Sequence, residues 1–222
     1  MKIGKFVITG EKQYHMDGRT IEYPFVLKHL RGGKGKVLDV GSSPAVQPYH
    51  VALTFFGYEV YCVDLLPQIH DFKMVSEKLH YKVCNIKRGL PYPDKFFDFV
   101  TCISTLEHIG MKGGRYGESY DQEGDIKAIR EMARVLKVGG RLILTVPYGK
   151  RAEFAPYYRI YGTEIFNMLG GLKPIETMYY VPKNGVFVES KKEEAEALVA
   201  TKPGPENSSL LLAVLNKDGE KL

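Results

Sequence analysis

Residues 37–45 read VLDVGSSPA, an apolar run broken by an acid, then a glycine turn, small residues and a helix. That order predicts a strand feeding a tight turn into a helix, the opening unit of an open α/β sheet. Strand-like texture returns at 59–64, 81–84, 97–103 and 141–146, with helical stretches in between, which predicts parallel strands covered on both faces. Between the last two runs, Ile126, Ile129, Met132, Ala133 and Leu136 recur at three- and four-residue spacing. Asp125 is read as the cap of that helix and Gly139-Gly140 as its end.

Upstream, residues 21–30 predict a helix that carries Pro24 near its start and is closed by Gly32-Gly33. Downstream, residues 147–161 are rich in Tyr and hold Pro147 and Pro156, which predicts a loop, and 163–169 support a short helix. Segments 178–189 and 210–214 predict two more strands, antiparallel at one edge. The expectation is therefore an α/β fold, a doubly wound and mostly parallel seven-stranded sheet, in a single domain over 1–222. A helical cap is expected over 1–35, and substrate-side loops over 110–125 and 147–162.

Composition agrees with one folded globule: 222 residues, 44% apolar and 26% charged, with neither the bias of a disordered chain nor that of a collagen-like one. Thirty-one basic and 26 acidic residues leave a net charge of +5 with no long single-sign block, which permits an anionic partner without demanding one. The longest apolar stretch, Leu210 to Leu215, is far shorter than the roughly 20 residues a spanning helix needs. The first residues lack the apolar core of a secretory signal, so a cytoplasmic location is expected. Cys62, Cys84 and Cys102 are odd in number and form no C-x-x-C pair, and they read as reduced, buried small hydrophobes.

Ligands of such a sheet sit beyond the carboxyl ends of its strands, so the informative residues follow each run. They are Asp39, Gly41, Ser42 and Ser43 after the first, Asp64 and Leu65 after the second, Asn85 and Ile86 after the third, and Ser104 after the fourth. An acid in the position of Asp64 suits the two hydroxyls of a ribose. A nicotinamide dehydrogenase would also place an acid there. It needs G-x-G-x-x-G for pyrophosphate, and this chain offers Gly41, Ser43 and Val46 at those three positions, with Asp39 adding unwelcome charge.

The stretches VLDVGSSPA (37–45), YEVYCVDL (58–65), CNIKRGLPYPDKFFDFVTCISTLEHI (84–109) and AIREMARVLKVGGRLILTVPYG (128–149) together resemble the class I S-adenosylmethionine-dependent methyltransferases. The resemblance covers roughly residues 20–190 and implies S-adenosyl-L-methionine as the cofactor. It implies that Gly41 and its neighbours pass beneath the amino-acid end, that Asp64 holds the ribose, and that Asn85 with Ile86 meets the adenine. Asn85 also reads as a strand-end turn former. The chain departs from the family in having Ser43 and Ala45 where small glycine positions are usual, with Pro44 between them, and in having Asn85 where many relatives have Asp.

His108, just after the fourth strand, is the candidate general base for an oxygen nucleophile, and Glu107 is the next candidate. The insertion GMKGGRYGESYDQEGD (110–125) reads as a polar rim over the acceptor, with Arg115 and Tyr116 as contacts; Tyr14, His15 and Tyr148 join them as substrate-binding candidates. Together with EYPFVL (22–27) and VPYG (146–149), the insertion resembles a branch associated with polysaccharide and glycolipid assembly. The expected reaction is O-methylation of a small polar or sugar-like acceptor. The alternatives are an RNA or nucleic-acid methyltransferase and a non-catalytic scaffold that keeps the fold. Against nucleic acid, the fourth strand ends in Ile103-Ser104-Thr105-Leu106, which lacks the motif that grips an extruded base, and the basic residues are interspersed with acids. The six histidines are scattered, and no metal site is expected.

Overall fold

The computed structural model describes residues 17–112 and 119–218. In chain order the elements are α1 (Arg19–Leu30), β1 (Gly35–Val40), α2 (Pro48–Phe56), β2 (Tyr58–Asp64), β3 (Leu79–Val83), β4 (Phe97–Ile103), α3 (Gly124–Val135), β5 (Leu136–Tyr148), β6 (Ala152–Phe154), β7 (Tyr158–Ile160), β8 (Leu172–Lys183), β9 (Val186–Ser190), α4 (Lys192–Ala197) and β10 (Ser209–Lys217). One eight-stranded sheet runs in the order β3-β2-β1-β4-β5-β10-β8-β9, and β6 pairs with β7 apart from it. The pairings from β3 through β5 are parallel, whereas β10 is antiparallel to both β5 and β8.

Alternation along β1 shows why both faces are covered. Val37 packs in a cluster with Phe25, Val26 and Leu30 of α1 and Leu53 of α2. Its neighbour Leu38 points the other way, into a cluster with Ala128, Ile129 and Met132 of α3. Each such side chain removed from water contributes roughly 1.5–3 kcal/mol, and a strand buried on both faces has no polar side to spare. Strand order reverses between β1 and β4, which opens a crevice at their carboxyl ends. This is the doubly wound architecture the sequence predicts.

Five local expectations are corrected. The sheet has eight strands rather than seven, because residues 178–189 are not one strand: Asn184 and Gly185, at φ 50° and 79°, turn the chain into the β8–β9 hairpin. An Asn-Gly pair is the strongest short hairpin signal, since both residues tolerate positive φ. The last strand is antiparallel as expected but lies inside the sheet, not at its edge, because Ser209 to Leu215 are all buried. Gly139-Gly140 do not end α3, which stops at Val135; they lie within β5 at a shift in its register with β4. Asp125 is not a cap but sits in the first turn of α3, buried, with Oδ2 3.0 Å from the Tyr161 hydroxyl. The region expected as a loop over 147–161 contains the end of β5 and the β6–β7 hairpin.

Cys62 and Cys102 are buried and Cys84 half-buried, all free thiols. Among the described residues no helix is long and apolar enough to cross a membrane.

Candidate functional site

The turn after β1 is tied to the end of β2. The amides of Gly41 and Ser42 both donate to the Val63 carbonyl, at 2.9 and 3.3 Å. Ser43 N donates to Asp64 Oδ2 at 3.1 Å and Leu66 N to Asp64 Oδ1 at 3.0 Å, so each carboxylate oxygen accepts one amide and keeps lone pairs for a ligand. Gly41 stands at φ 73°, and a Cβ there would meet the Thr105 side chain at 2.1 Å, so two loops touch at this point. Ser43 takes a left-handed φ of 68° without being glycine.

These residues wall a cavity of about 410 Å³. Gly41, Ser43, Asp64, Leu65, Ile86, Ser104 and His108 line it as the sequence predicts, joined by Arg19, Val40, Pro44, Val63, Leu66, Cys84, Thr105 and Ile109. One carboxylate set against a mostly apolar wall matches a ligand that carries a diol on one side and a flat ring on the other.

Three expected ligand contacts lie elsewhere. Asp39 turns away beneath α2: its Oδ2 accepts from the Tyr49 hydroxyl and from His50 Nε2, and its Oδ1 from the Thr101 hydroxyl at 2.6 Å. Ser42 is buried, and its hydroxyl donates to the Ser43 carbonyl. Asn85 does not line this cavity, and its side-chain oxygen accepts the Lys87 amide at 3.1 Å, the bond of a turn former. Asp39, His50 and Cys62 bring three potential metal donors within 4.8 Å of one another. Gln47 N donates to His50 Nδ1, however, which puts the ring proton on Nε2 and makes that nitrogen a donor to Asp39 at 2.9 Å rather than a metal ligand. Burial raises the Tyr49 hydroxyl and the Cys62 thiol well above their ordinary pKa values, with Asp39 adding to both, so both of these protons stay in place.

A second hollow of about 300 Å³ adjoins the first, and Arg19, Ser104 and His108 line both. Its other walls include Asp17, Glu22, Glu107, Tyr158, Phe187 and Ser208. Glu22 is buried in α1, with Oε1 accepting the hydroxyls of Ser104 at 2.5 Å and Thr145 at 2.6 Å and Oε2 paired with Arg19 at 2.6 Å. Sequence reasoning missed both Arg19 and Glu22; their i,i+3 spacing at a helix start was the available signal.

Glu107 is 2% exposed, with Oε1 3.8 Å from His108 Nε2, and Oε2 has no hydrogen-bond partner among the described residues. Burial pushes its carboxyl up to about 8. His108 Nδ1 lies 2.5 Å from the Tyr157 carbonyl, an acceptor only, so in the neutral ring the proton sits on Nδ1 and the lone pair on Nε2.

Of the substrate candidates, Tyr148 is corrected. It is fully buried in the sheet's core against Tyr179 and lines neither hollow. Tyr14, His15, Arg115 and Tyr116 lie outside the described residues. The described part of the 110–125 insertion is held down, with Asp121 paired to Lys127 at 2.7 Å and the Ser119 carbonyl accepting from Lys87 at 2.8 Å.

The chain is similar to proteins named for methyl transfer. It is 31% identical over 121 residues to an uncharacterized methyltransferase, YcgJ, of Bacillus subtilis, covering 51% of this chain and 41% of that protein. It is 34% identical over 140 residues to the ubiquinone/menaquinone biosynthesis C-methyltransferase UbiE of Vibrio vulnificus, covering 63% of this chain and 47% of that protein. The chain thus spans less than half the length of these curated relatives. Among solved structures, Burkholderia thailandensis 1,6-didemethyltoxoflavin-N1-methyltransferase, bound to 1,6-didemethyltoxoflavin and S-adenosylhomocysteine, superposes with a TM-score of 0.62 at 15% identity, covering 90% of this chain and 77% of that one. The fold is therefore the Rossmann-like methyltransferase fold. A family model described as Caenorhabditis protein of unknown function, DUF268, matches residues 68–202, more than half of the sequence, and the chain belongs to that family.

Proposed function

We propose that the chain is an S-adenosylmethionine-dependent methyltransferase acting at oxygen on a small polar or sugar-like acceptor. The observation that carries this reading is the shared wall: Arg19, Ser104 and His108 stand between a hollow suited to the cofactor and a second one large enough for one small molecule. The methyltransferase names of the curated relatives support the donor.

In the first hollow Asp64 would accept the ribose hydroxyls, Gly41 and Ser43 would lie under the amino-acid end, and Ile86 with Leu65 and Leu66 would cover the adenine. The chemistry supplied by the bound cofactor is an already activated methyl group on a positively charged sulfur. What remains for the protein is alignment, which brings the acceptor oxygen into line across the shared wall, and proton removal. His108 is poised for the second task, since its proton on Nδ1 is held by Tyr157 and Nε2 can take the hydroxyl proton. Glu107 keeps its proton up to about pH 8, so at neutral pH it presents an O–H to an acceptor oxygen. Asp17 and Glu22 join Glu107 in the second hollow, and Arg19 is paired with Glu22, which disfavours phosphate-bearing acceptors such as RNA.

The reading is tested by transfer of labelled methyl groups into separate pools of neutral polyols, sugar phosphates and RNA. Incorporation into the neutral pool that is lost in His108→Ala, with S-adenosylhomocysteine affinity retained, is expected. Robust incorporation into RNA, or undiminished transfer by His108→Ala, overturns it.

A further inference from the structure

Three points of the short turn that carries Glu107 and His108 are held by one stretch of chain, residues 157–161. The Tyr157 carbonyl accepts from His108 Nδ1 at 2.5 Å. Arg159 Nη1 donates to the Ile109 carbonyl at 2.6 Å. The Tyr161 hydroxyl lies 3.2 Å from the Leu106 carbonyl and 3.0 Å from Asp125 Oδ2. Arg159 is the unexpected member. Its side chain is 4% exposed, its guanidinium stands 3.6 Å from Asp125 and 3.8 Å from Glu153, and it lines neither hollow.

A buried cation is expensive to desolvate and seldom increases stability over an apolar replacement, so its value lies in the geometry it fixes. Here that geometry is the carboxyl side of the 106–109 turn. Without Arg159, the Ile109 carbonyl loses its donor and Asp125 loses its counter-charge at the amino end of α3. The turn then loses one of the holds that keep the His108 ring against Tyr157.

We propose that Arg159 is a positioning residue that, with the Tyr157 carbonyl, fixes His108 as the tautomer with its proton on Nδ1 and its lone pair on Nε2. The functional weight of this device rests on the reading of His108 as the base, but the device itself is observable without turnover. Imidazoles in water exchange freely between tautomers, and one ordinary hydrogen bond to a single ring nitrogen is enough to bias the ratio about fivefold.

The experiment is nitrogen-15 NMR of the histidine side chains in the intact protein without added ligand, with His108→Gln used to assign the signal. The wild type is expected to show His108 protonated on Nδ1. Arg159→Met is expected to lower the Nδ1-H to Nε2-H ratio about fivefold, and Arg159→Lys to restore most of it by donating to the same carbonyl. Both variants should bind S-adenosylhomocysteine as the wild type does. A wild-type ring protonated on Nε2 overturns the proposal, even if Arg159→Met fails to fold. An unchanged ratio in a folded Arg159→Met also overturns it. Unaltered methyl transfer in His108→Ala removes only the catalytic reading and leaves the tautomer result standing.

Discussion

The Ser43 amide donates to Asp64 Oδ2, so the turn that closes the first strand and the acid that ends the second form one hydrogen-bonded unit, 21 residues apart in the chain. Asp64 is therefore both a ligand group and the anchor of its own surroundings. Replacing it with Ala leaves the amides of Ser43 and Leu66 without acceptors and removes the only carboxylate that lines the first hollow among the described residues. Affinity for S-adenosylhomocysteine, measured by calorimetry, is expected to fall by roughly 10- to 100-fold, which corresponds to about 1.5–3 kcal/mol for hydrogen bonds to a charged group. Undiminished binding would show that the carboxylate holds no part of the ligand.

Gly41 leads to a sharper expectation. At φ 73° and with the Thr105 side chain 2.1 Å from any added Cβ, Gly41→Ala has to move either the turn or the start of the 105–108 segment. Binding of S-adenosylhomocysteine should be abolished, and thermal unfolding should begin at lower temperature. The double variant Gly41→Ala with Thr105→Gly should recover part of the loss, because the steric term is removed while the backbone term remains.

Ser43 behaves differently although it lies two residues away. Its φ of 68° costs a non-glycine residue roughly 1 kcal/mol, and its hydroxyl makes only a 3.4 Å contact with the Ala45 amide. Ser43→Gly is expected to raise stability by about 0.5–1 kcal/mol, read from the urea midpoint, with little change in cofactor affinity. A drop in affinity of tenfold or more would instead give the hydroxyl a direct role at the ligand.

The difference between these two positions marks how far the sequence could be read. The alternation of runs and helices gave the first four parallel strands to within two residues but missed the first five residues of β5, because strands buried on both faces leave a long apolar signature and the start of β5 does not. It also put Gly41, Ser43, Asp64, Leu65, Ile86, Ser104 and His108 around one cavity, since strand ends converge whatever the side chains are. Side-chain direction was hidden. Asp39 and Val40 are neighbours, yet Val40 lines the hollow while Asp39 faces the opposite core, where Tyr49 and Thr101 occupy its oxygens. Tyr148 looked like an exposed recognition residue, but β5 runs on far enough to bury it. Arg19 and Glu22 showed only as an i,i+3 pair and Arg159 not at all, because their roles depend on contacts as distant as Thr145 and Ile109.

Glu107 supplies a prediction about pH. Its carboxyl titrates near 8 in the folded chain, against 4.5 ordinarily, because burial disfavours the charge. Between those two values the unfolded chain has already lost this proton and the folded chain has not, so raising the pH favours unfolding by roughly 1.4 kcal/mol per unit. The relative stability this group contributes is complete below about pH 4.5 and is lost as pH rises through about 8. Glu107→Gln removes the ionisation while keeping the shape. Its unfolding free energy should therefore gain on the wild type as pH is raised from 5 to 8, and the gap should level off above that. Chemical denaturation of both proteins at pH 5, 6, 7, 8 and 9 measures this. Parallel profiles would mean that Glu107 is ionised throughout, and the O–H donor in the second hollow would have to come from another residue.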